Sequence, residues 1–230
     1  GGGGRQGSVE LARVDDDPDE GAGAAAVGVG DTLLAVGSGP EVLFFDVRRP
    51  GAGPLARYDD LHTDVVTQLA FSPANDRVLA SGAEDGLVCV SDTGAAADEE
   101  ALAAVLNAEC PPRRLAFFGA GAEGLAVASS VETLSLWHHP SAQRIRGFAR
   151  TGEDHYLVGC AYDGQRDELV AVAGEHGGQL HLLQVRPDAL VPAGALRGGH
   201  SSTVRCLAAS APAGLLLTGG EDARVVAWRA

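Results

Sequence analysis

Two stretches of the chain each contain the three residue types of a nucleophilic triad: a histidine, an aspartate and a hydroxyl side chain. They are His62, Ser81 and Asp85, and then His200, Thr218 and Asp222. In a hydrolase the histidine takes the hydroxyl proton and the aspartate orients the histidine. Because the set occurs twice in one chain, we expect a repeated structural role. No catalytic residue is predicted.

Two further motifs suggest ligand binding. The segment from Gly119 to Gly124 matches GxGxxG, but apolar strands are predicted on both sides of it, and a dinucleotide site needs a helix after the glycines. His138 and His139 are adjacent, so on an extended strand their side chains point to opposite faces. GxSxG, P-loop and HExxH motifs are absent. We therefore predict no cofactor-binding and no metal-binding residues.

Charge and hydropathy restrict the class of partner. The chain has 230 residues and a formal net charge of −14. An acidic balance opposes nucleic-acid binding, which depends on neutralising phosphates, and permits a basic protein partner. No apolar run reaches the roughly 18 residues of a membrane span. We expect a protein or peptide partner, no nucleic acid and no membrane.

The four cysteines show no CxxC spacing, which argues against a zinc site. Each lies in or beside an apolar strand, where cysteine usually acts as a small hydrophobic side chain. We expect an intracellular location, cytoplasmic or nuclear. The chain contains no methionine and opens with GGGGRQG. We therefore also expect it to be a fragment of a longer protein.

The elements that position these residues repeat along the chain. Five short apolar strands end at Asp46, Asp92, His138, Gln184 and Arg229, in steps of 46, 46, 46 and 45 residues. Between them lie further short strands and turn residues, which predicts four antiparallel strands per repeat. Such units stack face to face as the blades of a β-propeller. We predict an all-β fold with five blades over residues 31–230, preceded by a low-complexity segment or eroded blade over residues 1–30.

The last repeat resembles a WD40 repeat, with Gly199–His200 before its first strand and Trp228 closing its third. Members of that superfamily lock each blade with a His–Ser/Thr–Asp–Trp hydrogen-bonded network. The resemblance implies this role for the set His62, Ser81, Asp85, His200, Thr218, Asp222, Trp228 and Trp137. In the repeat that contains His62, Ser81 and Asp85, Ser91 occupies the tryptophan position.

The segments LHTDVVTQLAFSPANDRVLASGAEDGLVCVSD and GGHSSTVRCLAASAPAGLLLTGGEDARVVAW are similar to repeats of the WD repeat-containing protein 89 family. The similarity extends over about residues 31–229. That family is expected to form a seven-bladed ring, so five blades imply an incomplete ring. Its members resemble interaction scaffolds, and related plant proteins suggest nuclear ribosome assembly as an alternative.

Partner-binding positions follow from the repeat register. In propellers the loop before the first strand and the turn between the second and third strands line one face. The corresponding positions are Val65, Thr67, Glu84, Thr203, Arg205 and Glu221. We expect them to be exposed and to contribute to a peptide-binding surface.

A further alternative rests on the segment from Phe45 to Arg48. It resembles the WDxR box of substrate receptors that bind the adaptor of cullin-4 ubiquitin ligases, with Asp46 and Arg48 as the matching residues and Phe45 in place of tryptophan. A propeller-framed enzyme is a third class of function, but the clustered acids, histidines or metal ligands that it needs are not apparent.

Overall fold

The computed structural model describes residues 22–28, 30–95, 98–149, 155–210 and 213–229. Within these ranges nineteen strands form five antiparallel sheets, which we number as blades 1 to 5 in chain order. The predicted all-β fold with five propeller blades is confirmed. Among the described residues no helix is long and apolar enough to cross a membrane.

The strands of the first three blades have the following bounds. Blade 1 contains β1 (Ala22–Val27), β2 (Leu33–Ser38), β3 (Glu41–Asp46) and β4 (Ala56–Tyr58). Blade 2 contains β5 (Val66–Phe71), β6 (Val78–Ala83), β7 (Leu87–Asp92) and β8 (Leu102–Asn107), with the one-turn helix α1 (Asp98–Ala101) before β8. Blade 3 contains β9 (Pro112–Phe118), β10 (Gly124–Ser129), β11 (Leu134–His138) and β12 (Gln143–Phe148), with a short 3-10 helix at His139–Ser141.

Blade 4 contains β13 (Tyr156–Asp163), β14 (Glu168–Gly174), β15 (Leu180–Val185) and β16 (Leu190–Leu196). Blade 5 contains β17 (Val204–Ser210), β18 (Leu215–Gly220) and β19 (Val225–Arg229). Four blades therefore have the expected four strands, whereas blade 5 has three in the described part of the chain.

The first blade begins earlier than the sequence indicated. Strand β1 lies inside the segment 1–30 and pairs with β2 from Ala22 to Val27. Its alanine-rich sequence has little intrinsic preference for a strand, and pairing with the strongly apolar β2 stabilises the extended conformation. The rest of the low-complexity segment, residues 1–21, lies outside the described residues.

Strands β6 and β10 are buried along almost their whole length, because each lies inside a sheet that is covered on both faces. They consequently read as continuous small and apolar runs instead of alternating ones. Small residues also let consecutive blades approach closely. A Cβ atom on Gly37 would lie 2.8 Å from Val66 of the next blade, and one on Gly82 would lie 2.5 Å from Pro112.

The core consists of separate apolar clusters between consecutive blades. Phe44 and Tyr58 meet Leu79 between blades 1 and 2, and Leu106 meets Trp137 between blades 2 and 3. Similar clusters join blades 3 and 4 and blades 4 and 5. Each blade thus stabilises its neighbours, as in other repeat architectures.

The last blade is exposed on one side. In the described part of the chain, the extensive packing between blades joins blades that are consecutive in sequence. Val225 of β19 is 80% exposed, and Leu217 of β18 is also exposed. Blade 5 therefore buries one face against blade 4 and presents apolar side chains on the other.

Candidate functional site

In blade 5 the four predicted network residues form one chain of hydrogen bonds. The Trp228 indole N–H donates to Thr218 Oγ1 at 2.8 Å. Thr218 Oγ1 lies 2.9 Å from His200 Nε2, and His200 Nδ1 lies 3.1 Å from Asp222 Oδ1. Since tryptophan can only donate and the carboxylate can only accept, the hydroxyl donates to Nε2 and Nδ1–H donates to Asp222.

Blade 2 contains the same arrangement without the tryptophan. His62 Nδ1 lies 3.2 Å from Asp85 Oδ2, and His62 Nε2 lies 2.8 Å from Ser81 Oγ. Asp85 also accepts the backbone N–H groups of Thr63 and Leu87. Ser91 occupies the tryptophan position, and its hydroxyl is the one buried side-chain polar atom without a partner among the described residues.

Burial separates these networks from catalytic triads. The side chains of Ser81 and Thr218 belong to residues that are 1% exposed. A nucleophilic hydroxyl has to reach a substrate carbonyl, and neither of these has a path to solvent. Each network joins the loop before the first strand, where the histidine lies, to the second strand and the turn after it, which suits a structural lock.

The ionisation of the networks reflects the same burial. Burial lowers the pKa of His62, and the nearby Asp85 carboxylate opposes that shift only in part. Burial opposes ionisation of Asp222, but hydrogen bonds from the Ser201 N–H and from His200 outweigh it and lower its pKa to about 2. The lowered pKa of His62 favours its neutral imidazole.

Trp137 stands apart from both networks. It occupies the equivalent place in blade 3, but its indole N–H donates to Ser135 Oγ at 2.9 Å within the same strand. The ring is buried in the cluster between blades 2 and 3, and the Arg144 guanidinium lies 5.8 Å from its centre. Its contribution is therefore to packing between blades.

We use the term upper rim for the end of each blade where the first strand begins and the second strand turns into the third. On blade 2 the Glu84 N–H donates to the Val65 carbonyl at 2.9 Å, which holds these two rim residues together. Both are exposed. Thr67 is only partly exposed, because its hydroxyl donates to the Pro112 carbonyl of blade 3 at 3.1 Å.

On blade 5 the rim has the same backbone pairing, with the Glu221 N–H donating to the Thr203 carbonyl at 2.9 Å. Arg205 and Glu221 are exposed and form an ion pair in which Arg205 Nε lies 2.8 Å from Glu221 Oε1. The expectation that Thr203 is exposed is wrong: it is 6% exposed, with His176 of blade 4 3.3 Å from its hydroxyl. The turn of the preceding blade covers it, which the repeat register does not reveal.

Asp46 and Arg48 are joined to each other at the end of β3. Arg48 Nε and Nη2 donate to the two carboxylate oxygens of Asp46 at 2.9 Å each, and the Arg48 backbone N–H donates to the same group. These bonds lower the pKa of Asp46 to about 2. Phe45 is buried, whereas the Arg48 side chain is 69% exposed.

The glycine-rich segment from Gly119 to Gly124 and the adjacent histidines His138 and His139 make hydrogen bonds to residues close to them. The glycine-rich segment forms the hairpin loop between β9 and β10, with the Gly121 N–H donating to Glu123. His138 Nδ1 lies 2.7 Å from Ser141 Oγ, and His139 Nε2 lies 3.1 Å from the Ala122 carbonyl. The adjacent histidines therefore do not converge on one point.

Sequence reasoning missed a different cluster, formed by His155, Glu175 and His181 on the rim of blade 4. The coordinating atoms of the three side chains lie within 4.8 Å of one another, an arrangement that can hold a metal ion. The prediction of no metal ligands considered only sequence neighbours. A signal was present, since the three residues lie at the same end of three strands that pair in one sheet.

Comparisons with known proteins agree with this geometry. The family model described as "WD domain, G-beta repeat" matches residues 55–92 and 194–229. These matches contain the first three strands of blade 2 and the three described strands of blade 5, where the histidine networks lie. Both matched segments are therefore WD40 repeats.

Two curated relatives extend the similarity over most of the chain. The chain is 27% identical over 206 residues to WD repeat-containing protein 89 homolog of Dictyostelium discoideum. This alignment covers 85% of the chain and 57% of that protein. It is 31% identical over 223 residues to WD repeat-containing protein GTS1 of Arabidopsis thaliana. That alignment covers 88% of the chain and 56% of the Arabidopsis protein. The expected resemblance to the protein 89 family is confirmed. The chain spans little more than half the length of these WD40 relatives.

A solved structure shows the same fold at low sequence similarity. A chain of the structure titled "Crystal Structure of Mitotic Checkpoint Complex" superposes with a TM-score of 0.63 and 16% identity, covering 96% of this chain and 77% of that one. WD40 propellers are typically interaction scaffolds without a catalytic centre, and the fold supports protein partners in general.

Proposed function

We propose that this chain is a non-catalytic scaffold whose upper rim binds a protein or peptide. The observation that carries the proposal is the rim of blades 2 and 5, where Val65, Glu84, Arg205 and Glu221 are exposed. Backbone hydrogen bonds from Glu84 and Glu221 to Val65 and Thr203 hold this rim beside the two locked histidines. Binding residues concentrate on loops that a rigid scaffold holds in place. Thr203 is buried and does not belong to this surface, and Thr67 contributes through its exposed part only.

Charge supports a basic partner. The chain as a whole carries −14, and the rim of blade 2 presents the exposed acids Asp64 and Glu84. A surface of one sign attracts and orients a partner of the opposite sign, with an effect that weakens as salt increases. A lysine- or arginine-rich segment fits this description.

The experiment is to screen an array of basic peptides with the purified chain and its charge variants. Glu84→Lys should weaken binding of the selected peptides at least about tenfold. Asp76→Lys makes the same change in charge on an exposed residue of the β5–β6 turn, at the opposite end of blade 2, and should leave binding unchanged. Equal affinity in wild type and Glu84→Lys would refute the rim as the binding surface.

A second candidate function is a substrate receptor of a cullin-4 type ligase. It rests on the exposed Arg48 guanidinium, which Asp46 holds in one orientation by two side-chain hydrogen bonds. Arg48→Ala should abolish co-purification of the ligase adaptor, whereas Arg49→Ala on the adjacent exposed residue should not. Co-purification that survives Arg48→Ala would remove this candidate. A role in nuclear ribosome assembly stays a prediction, which recovery of assembly factors in the same experiment would support.

A further inference from the structure

Three chemistry-bearing side chains meet on blade 4, away from both histidine networks. His155 directly precedes β13, Glu175 directly follows β14, and His181 is the second residue of β15. The three strands are neighbours in one sheet, with Tyr156 opposite Gly174 and Ala173 opposite His181. Strand pairing therefore brings the three residues to one end of the blade.

Both imidazoles approach the same carboxylate oxygen. His181 Nε2 lies 2.6 Å and His155 Nε2 lies 3.5 Å from Glu175 Oε1. The two rings are 4.7 Å apart between centres and tilted by 45°. Two imidazole nitrogens and a carboxylate oxygen that face a common point form a donor set that zinc prefers.

The distances fit a small tetrahedral ion. Bonds of 2.0–2.1 Å to zinc separate neighbouring ligand atoms by about 3.3 Å. The contact between His155 and Glu175 is about 0.2 Å longer than this, and the contact between His181 and Glu175 has to open by about 0.7 Å. The ligand atoms of the two histidines lie within 4.8 Å of each other and would have to move closer. A rotation of exposed side-chain bonds provides that much movement.

Gln179 adds a second and independent observation. Its Nε2 lies 3.1 Å from Glu175 Oε1 and 3.1 Å from His181 Nε2. If His181 Nε2 carries a proton, it donates to Glu175 but then faces the N–H donor of Gln179. If it carries none, it accepts from Gln179 but then faces the acceptor oxygen of Glu175. A cation at the centre removes the conflict, with the Gln179 amide turned so that its oxygen faces the ion.

The cluster is open to an ion from solution. The three side chains are between 26% and 37% exposed. His155 and His181 also line a cavity of about 550 Å³ between blades 3 and 4, together with Arg146 and Phe148 of β12. Room for a water molecule as a fourth ligand is thus available beside the cluster.

We propose that His155, Glu175 and His181 bind a zinc-type transition-metal ion, with water or the Gln179 amide oxygen in the fourth position. Nitrogen donors exclude calcium and magnesium as the preferred ions, since these favour oxygen ligands. The ion connects the starts of β13 and β15 to the end of β14, so it stabilises the rim of blade 4. This role is independent of peptide binding on blades 2 and 5.

The test is a zinc titration of the metal-stripped, tag-free chain in competition with a chromophoric chelator. We expect one Zn²⁺ per chain, no competition by Ca²⁺, and a rise in Tm of about 5–10 °C at free zinc a hundredfold above Kd. Glu175→Gln nearly preserves shape and should weaken binding at least about tenfold, as should His181→Ala. His138→Ala removes a partly exposed histidine of blade 3 and should leave binding unchanged.

Cobalt provides a readout that does not depend on stability. Co²⁺ bound by these ligands should show the visible absorption of tetrahedral cobalt in the wild type, and Glu175→Gln should lose it while keeping its circular dichroism spectrum. The absence of saturable Zn²⁺ binding by the wild type would overturn the proposal. Unchanged zinc affinity in Glu175→Gln would overturn it as well.

Discussion

Blades 2 and 5 contain the same locked histidine but differ in what surrounds it. His62 of blade 2 and His200 of blade 5 each lie between a carboxylate and a hydroxyl at similar distances. Blade 2 borders an apolar cluster on each face, whereas blade 5 borders one on a single face and exposes Val225 on the other. The network therefore forms from local residues, while burial of the sheet depends on neighbouring blades.

The largest expected difference comes from removing the carboxylate in each blade. Asp85→Ala leaves His62 and the N–H groups of Thr63 and Leu87 without an acceptor, and should lower the free energy of unfolding by about 2–4 kcal/mol. Asp222→Ala removes equivalent bonds, but blade 5 packs on one side only in the described part of the chain and can open separately. Its effect on global unfolding should be about 1–2 kcal/mol.

Urea unfolding followed by circular dichroism measures both losses, and amide hydrogen exchange locates them. For Asp222→Ala, faster exchange should be confined to blade 5. Equal losses in the two variants, or exchange that spreads to blade 2, would show that the chain unfolds as one cooperative unit.

The tryptophan position tests the second difference between the blades. Ser91 is buried with an unpaired hydroxyl in blade 2, so Ser91→Ala should raise the free energy of unfolding by about 1 kcal/mol. Ser135→Ala is a matched control in blade 3, because it leaves the buried Trp137 N–H without its acceptor and should be destabilising by a similar amount. Thermal unfolding of the two variants should shift in opposite directions, and a shift in the same direction would contradict this account.

A smaller effect is expected for Trp228→Phe in blade 5. The variant keeps most of the ring but loses the N–H donated to Thr218. Because the Thr218 hydroxyl still donates to His200, the loss should be about 0.5–1 kcal/mol. A urea titration with the Tyr58→Phe variant as a control for loss of another ring donor would measure it. A loss as large as that of Asp85→Ala would mean that the tryptophan holds the whole network.

Acid should weaken the contributions of His62 and Asp222 in separate pH ranges. The pKa of His62 is lowered by burial, so the unfolded chain takes up its proton first and stability falls as the pH drops below about 6.5. The pKa of Asp222 is lowered to about 2 despite the cost of burial, so its contribution is lost only as the pH falls from about 4 toward that value. His62→Gln should remove the pH dependence of the free energy of unfolding in the upper range and leave it unchanged in the lower range. A flattened lower range in that variant would contradict the assignment.

Much of the fold could be predicted because its determinants are local. The period of 46 residues, the turn residues and the apolar strands depend on nearby positions, and they located the end of the third strand of every blade to within one residue. Strand β1 was missed because its alanines and glycine carry little strand preference by themselves. The geometry of the two networks was also accessible, since both ends of each network lie within one repeat.

The sequence by itself determined which residues of each repeat face one another across a turn, because hydrogen bonding and strand alternation act over short distances. Only the tertiary structure decided what covers them. His176 of blade 4 buries Thr203 of blade 5, and the pairing of three strands brings His155, Glu175 and His181 to one point. These outcomes depend on how the sheets twist and pack. Twist and packing follow from the burial of many residues together, so a short motif does not predict them.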